Sequence, residues 1–322
     1  VYTWLAMLAA VQGRLTEADQ LLDREQEIVE RLAGPEPRAW LRFCRGALAY
    51  ERGDHLAAEA WLREATAMFR AIGPGTLVWY LGFLGLPLAA QGKAAEARVC
   101  MDELEILLEE LPLGTMPTAE PLAYLTQIAL TLGDRGERLS RYHARLVTFE
   151  GQFRDLLIDR LLGEIETRLG DWASAQAHLA AAETLARREQ LLPELARTLE
   201  ARADPALARG DRAGTAQARN RLEQAVDLIK KPGNPSVEQQ LRERPRTLDR
   251  RQSQRPRLPA GLSAREAEVL RLVAAGKSNR EIGAALYLSE STVAHHLTSI
   301  FTKTGADNRA AAAAFAIRHG LA

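Results

Sequence analysis

The sequence predicts an all-α protein in two parts: a superhelix of stacked helical hairpins over residues 1–231, then a compact four-helix unit over residues 258–322. Three observations carry this expectation. Glycine-centred turns recur at a near-constant interval through the first part. Each turn is followed by apolar residues at steps of three and four, the signature of one buried helix face. No strand-like alternation with hairpin turns interrupts either part.

The turns GRLTEA, GDHLAA, GKAAEA, GDRGER, GDWASA and GDRAGT begin at Gly13, Gly53, Gly92, Gly133, Gly170 and Gly210, with gaps of 40, 39, 41, 37 and 40 residues. A glycine suits the left-handed residue that ends a helix, because it has no Cβ to clash. In the second unit the stripe is Ala58, Trp61, Leu62, Ala65, Met68, Phe69 and Ile72. In the third it is Ala97, Cys100, Met101, Leu104, Leu107, Leu108 and Leu111. A small residue five places past the glycine (Ala18, Ala58, Ala97, Ala175) lets the paired helices approach; Arg138 and Thr215 break this in the fourth and sixth units.

Composition narrows the function classes. Lys and Arg number 42 against 42 Asp and Glu, so any affinity for nucleic acid must be local. Cys44 and Cys100 lie far apart inside helical patterns and read as buried free thiols, which fits a reducing cytoplasm. The longest apolar run, LVWYLGFLGLPLAA at 77–90, is too short for a bilayer and contains the breakers Gly82, Gly85 and Pro87, so no membrane is expected. Trp40, Phe43, Trp61, Phe69, Trp79, Tyr80 and Phe83 fall on apolar stripes and read as core rather than an effector pocket. Paired carboxylates such as Glu109 and Glu110 have no nucleophile or base nearby, so no catalysis is assigned. The chain opens without Met inside a helical pattern, which predicts more protein upstream.

Residues 232–257 hold four prolines and, from Arg242 to Arg257, seven Arg against Glu243 and Asp249. This reads as a soluble hinge, with a phosphate-binding basic arm as the alternative. Helix starts then follow in quick succession. Ser263 with Glu266, and Ser278 with Glu281, have capping-box spacing. Leu288 tucks inward at a corner, Ser289 caps the next helix, Gly305 ends it, and Asp307 or Asn308 caps the last. Gly283 leaves room for a neighbouring helix. The third helix buries Val293, Leu297 and Ile300, which turns Ser291, His295, Thr298, Ser299 and Thr302 outward, with Ala294 and His296 on the flanks. A protruding helix of short polar side chains with few acidic residues suits the DNA major groove. The adjacent His295 and His296 lack a chelating partner at i+4, so no metal is assigned. The stretch AAGKS lacks the glycine and preceding strand of a phosphate loop, so no cofactor is expected either.

Two resemblances attach to these residues. GALAYERGDHLAAEAWLREA resembles the tetratricopeptide repeat, although the period here exceeds the usual ~34 residues and is closer to the superhelix of MalT-like regulators. The segment from Leu262 to Ala316, with SNREI, LSESTV, His296-Leu297, IFTKTG and NRAAA, resembles the LuxR-type helix-turn-helix. The resemblance implies base contacts at Ala294, His295 and Thr298, with Ser291, Thr292 and Lys303 nearer the phosphates; Ser299 and Asn279 complete the expected DNA-binding set. Ala294 and Thr302 stand where many members carry a basic residue. The Ala-rich helix Ala310–Ile317 matches a pairing segment, so a homodimer on double-stranded DNA is expected, with half-sites about 34 Å apart. The two segments together resemble the large ATP-binding LuxR regulators, which implies an upstream nucleotide-binding domain.

The expected function is therefore a cytoplasmic, sequence-specific transcription regulator whose repeats receive an effector or protein partner and relay it to the tail. The rival reading is an interaction scaffold whose helix-turn-helix no longer binds DNA. An enzyme reading survives only for an upstream ATPase or cyclase.

Overall fold

The computed structural model describes residues 1–32, 34–72, 77–109, 116–208, 212–230, 258–286 and 288–321. The sixth turn glycine and the segment 232–257 lie outside the described residues. Helices fill almost all of the rest. They are α1 (Tyr2–Val11), α2 (Leu15–Leu32), α3 (Pro35–Glu51), α4 (His55–Ile72), α5 (Leu77–Ala90), α6 (Ala94–Glu109), α7 (Met116–Thr131) and α8 (Glu137–Leu146). After a two-residue ladder follow α9 (Ile158–Leu169), α10 (Trp172–Arg188), α11 (Leu192–Ala201), α12 (Ala203–Ala208) and α13 (Arg212–Lys230). The second part comprises α14 (Ala264–Ala274), α15 (Asn279–Leu286), α16 (Glu290–Thr304) and α17 (Arg309–Arg318).

Helices pair as hairpins, and each hairpin packs on the next. The turn glycines Gly13, Gly53, Gly92, Gly133 and Gly170 all have φ between +73° and +83°, the left-handed conformation that any Cβ would strain. Ala18, Ala58, Ala97 and Ala175 are buried at the hairpin crossings, as the small-residue spacing requires. In the fourth unit Leu139, next to the half-buried Arg138, takes the inward position.

Three expectations need correction. Trp61 is 37% exposed, whereas the other stripe residues described beside it are buried or half-buried. Gly82, Gly85 and Pro87 do not break α5, which runs through all three. A Cβ at Gly82 would lie 2.8 Å from Tyr124 Cδ2, and one at Gly85 2.4 Å from Ile128 Cδ1. These glycines therefore admit α7 rather than end α5. Finally, Phe153–Arg154 pairs antiparallel with Leu156–Leu157 about Asp155, which adopts φ +57°. This small ladder falls where the turn spacing shortens to 37 residues.

The repeat part has two apolar cores. The first runs from Ala6 to Ile165 and contains stacked rings, including Phe69 on Tyr80 with centroids 3.5 Å apart. The second gathers Leu157 and residues 182–226. Cys44 and Cys100 are buried free thiols, and burial raises both, Cys100 to about 11. No described helix is long and apolar enough to cross a membrane.

A buried charge cluster joins distant units. Arg160 and Glu194 are 1% and 3% exposed and meet through Nε–Oε2 at 2.9 Å and Nη2–Oε1 at 3.3 Å. Glu194 also accepts from the Leu157 amide at 2.8 Å and from Arg197 at 2.9 Å. Arg197 in turn donates to both oxygens of Glu51 at 3.0 and 2.9 Å, bringing α11 back against α3 across 146 residues. Burial pushes the Glu194 carboxyl up, but Arg160 and Arg197 outweigh it and hold that carboxyl below its ordinary value. Beside this cluster lies a cavity of about 500 Å³, lined by Tyr50, His55, Gln127, Arg168 and Arg197 among others. Among the described residues, His55 Nδ1 and Gln127 Oε1 are buried there without a hydrogen-bond partner.

Candidate nucleic-acid interface

The four tail helices enclose a core of their own: Leu262, Val269, Leu270, Val273, Ile282, Val293, Leu297, Ile300, Ala312, Phe315, Ala316 and Leu321. Local chemistry sets each boundary. Ser263 Oγ accepts from the Glu266 amide while Glu266 Oε2 accepts from the Ser263 amide at 2.7 Å, a complete capping box. Ser278 and Glu281 repeat the arrangement, and the Ser278 donations hold the exposed Glu281 carboxyl down to about 2. Ser289 caps α16 through the Thr292 amide at 3.1 Å. Gly305 ends α16 at φ +68°, and Asn308 caps α17 through the Ala311 amide at 2.9 Å. The close neighbour of Gly283 is the Leu288 carbonyl, 2.6 Å from a notional Cβ, and not another helix. The corner between α15 and α16 therefore needs this glycine.

On α16, Val293, Leu297 and Ile300 are buried, and Ser291, Ala294, His295, Thr298 and Thr302 are exposed. Thr292 is half-buried above the cap. The Thr298 hydroxyl donates to the Ala294 carbonyl at 3.1 Å, and the Thr302 hydroxyl donates to the Thr298 carbonyl at 3.0 Å. Their protons are thus used within the helix, which leaves oxygen acceptors facing outward. Such acceptors match the amino groups of adenine and cytosine.

The other expected residues turn to structural partners. Ser299 donates to Glu266 Oε1 at 2.6 Å and Lys303 to Glu266 Oε2 at 2.8 Å, tying α16 to α14. Burial works to raise the Glu266 carboxyl, but donations from Lys303, Ser299 and Ser263 outweigh it and hold that carboxyl below its ordinary value. Asn279 Oδ1 accepts from Arg309 at 3.0 Å, joining α15 to the start of α17. Sequence spacing could not show these links, since they join positions 30 to 37 residues apart. Two cations that the sequence reading passed over, Arg271 and Arg280, are exposed. Over 258–322 there are seven Lys and Arg against five Asp and Glu, a net of +2. On α17, Ala310, Ala314 and Ile317 are exposed at helical spacing, with Ile317 at 65%.

The cap side of α16 faces the repeats across a cavity of about 530 Å³. Ser291, Thr292, His295, His296, Ser299 and Lys303 form one wall, and Trp172, Gln176, Arg202, Gln217 and Arg221 are on the other. Leu288 reaches Gly170, where a Cβ would lie 2.6 Å from its Cδ2. His296 Nε2 is buried without a partner among the described residues, and burial lowers the affinity of that ring for a proton.

A capped pair of short helices joined by a glycine-dependent corner, the second helix presenting a polar outer face, defines a helix-turn-helix unit. Residues 260–316 match the family model described as "Bacterial regulatory proteins, luxR family", and residues 1–71 match the tetratricopeptide repeat model. The chain thus carries a LuxR-family helix-turn-helix domain at its carboxy end and tetratricopeptide-like repeats at its amino end. Similar proteins include the uncharacterized transcriptional regulatory protein YhcZ of Bacillus subtilis (strain 168), 45% identical over 60 residues, 19% of this chain and 28% of that protein. The transcriptional regulatory protein DegU of Brevibacillus brevis is 46% identical over 59 residues, 18% of this chain and 25% of that protein. The probable transcriptional regulatory protein NarL of Mycobacterium tuberculosis (strain ATCC 25618 / H37Rv) is 48% identical over 60 residues, 19% of this chain and 28% of that protein. The chain spans about a quarter of the length of these relatives.

Proposed function

We propose that this chain is the DNA-binding and signal-relay part of a cytoplasmic transcription regulator. The outer face of α16 carries the reading: Ser291, Ala294, His295 and Thr298 are exposed on a helix whose opposite face is fixed in a separate core. His295 and Thr298 read base edges, with Ala294 offering apolar contact. Ser291, Thr292 and the amino-terminal amides of α16 approach phosphate, while Arg271 and Arg280 add charge. Ser299 and Lys303 serve first to hold α16 in place, and Asn279 to join α15 to α17. With so small a net charge, one copy would hold DNA weakly, so binding proceeds as a dimer through the exposed Ala310, Ala314 and Ile317 face of α17.

The repeats control access. The cavity between α16 and the Trp172–Arg221 wall is far smaller than a duplex, so DNA enters only after the two parts separate. The roughly 500 Å³ cavity beside Arg197, with its unpartnered His55 and Gln127 atoms, is the place where a small effector would act on that equilibrium. No catalytic role is proposed for this part of the protein.

One observation favours a scaffold instead. Lys303, the single Lys or Arg on α16, is already paired with Glu266. Fluorescence anisotropy with labelled duplexes, selected from a random pool, separates the two readings. The 258–322 fragment should bind with an affinity that falls steeply as salt rises, and the full chain should bind several-fold more weakly. Failure of the fragment at low salt would leave the scaffold; equal binding by both would remove the access control.

A further inference from the structure

Away from α16, a group of titratable side chains has no role in DNA recognition. Glu150 follows the short 3-10 turn after α8, Asp159 lies in the first turn of α9, and His178 lies in the middle of α10. One ligand atom from each falls within 4.8 Å of the other two. Asp159 is 2% exposed, whereas Glu150 reaches solvent.

The histidine is held for a purpose that packing alone does not supply. His178 Nδ1 lies 2.8 Å from Glu166 Oε2, and the other oxygen of Glu166 lies 2.9 Å from His143 Nε2. A carboxylate accepts, so Nδ1 carries the proton in that bond, and Nε2 is directed to the other side of the ring. There it meets Glu150 Oε1 at 3.7 Å, beyond hydrogen-bond length. A histidine oriented through one nitrogen by a carboxylate, with the other nitrogen facing further oxygens, is the arrangement that metal-binding histidines adopt.

Charge points the same way. Glu150, Asp159 and Glu166 bring three carboxyl groups together, and no Lys or Arg among the described residues pairs with any of them. Asp159 Oδ2 accepts from the Gly151 amide at 3.0 Å.

We propose that Glu150, Asp159 and His178 Nε2 bind one divalent transition-metal ion of the zinc type, with Glu166 and His143 orienting His178. One imidazole nitrogen and two carboxylates suit Zn²⁺ better than Mg²⁺, which prefers an all-oxygen octahedron. Three protein ligands leave a position for water. Bound there, the ion ties the segment after α8 to the α9–α10 hairpin, beside the point where Leu157 joins one core and Ile158 the other. This inference is independent of DNA binding.

The test uses the full chain, stripped with a chelator and dialysed, then titrated with ZnCl₂ in a calorimeter alongside thermal melts. One saturable equivalent is expected, together with a rise in Tm that MgCl₂ at the same concentration does not produce. Glu150→Gln, at an exposed position where folding is not at stake, should weaken Zn²⁺ binding by about tenfold or more. Asp159→Asn should abolish it, and His295→Ala on α16 should leave it unchanged. Absence of saturable binding would overturn the proposal. Wild-type affinity in Glu150→Gln, an equal response to MgCl₂, or loss in His295→Ala would also overturn it, by placing the ion elsewhere.

Discussion

In the repeats, polar side chains of one hairpin reach across to the next: Arg52 to Asp19, Arg70 to Glu103, Arg98 to Asp134 and Arg138 to Asp102, each 33 to 36 residues away. On α16 the exposed Ser291, Thr298 and Thr302 turn back on their own turns, and His295 faces outward. The first surface has its charges matched internally, as a stack of units must if it is to hold one register. The second spends its hydroxyl protons within the helix, which adds little to stability and leaves their oxygens as acceptors for a partner.

The largest test of this contrast is inside the repeats. Glu194→Ala leaves Arg160 and Arg197 buried with one carboxylate fewer and should cost about 3–5 kcal/mol in urea unfolding, while the 258–322 fragment, which has its own core, is untouched by definition. A loss below about 1 kcal/mol would mean that the cluster is solvated in solution. Next comes α16 itself. His295→Ala and Thr298→Ala should each weaken specific DNA binding by about 1–3 kcal/mol, with Tm unchanged, whereas indifference of both would shift weight to the scaffold.

A smaller effect is expected from acid. The Glu266 carboxyl is depressed in the folded state, so its stabilisation is complete above the unfolded value of about 4.3 and fades as pH falls through the lower folded value. The Tm of the 258–322 fragment should therefore drop between about pH 5 and pH 3. Glu266→Gln should flatten that drop, and parallel curves would show that the Lys303 and Ser299 bonds contribute nothing. The smallest effect belongs to Arg70→Ala. It removes an exposed pair with Glu103 and should change stability by less than about 1 kcal/mol.

Much of this could be read before any coordinates. Gly13, Gly53, Gly92, Gly133 and Gly170 announced their left-handed turns because few other residues tolerate them. Ser263 with Glu266 and Ser278 with Glu281 announced helix starts because a capping box is local chemistry. What escaped was non-local. Trp61 sits on an apolar stripe, yet 37% of its surface stays exposed. Gly82 and Gly85 looked like breakers until Tyr124 and Ile128 came against them. Lys303 read as a phosphate contact until Glu266, on another helix, took it. Glu150, Asp159 and His178 come from three elements, so no sequence spacing links them.

All five tryptophans lie in the repeat part, and Trp172 stands on the cavity wall opposite His295. Its indole is therefore a native optical gauge of the proposed access control: separation of the tail from the repeats should shift the emission colour of this ring toward that of water-bathed indole. No dye need be attached for that test, because the chain supplies its own lamp at the doorway.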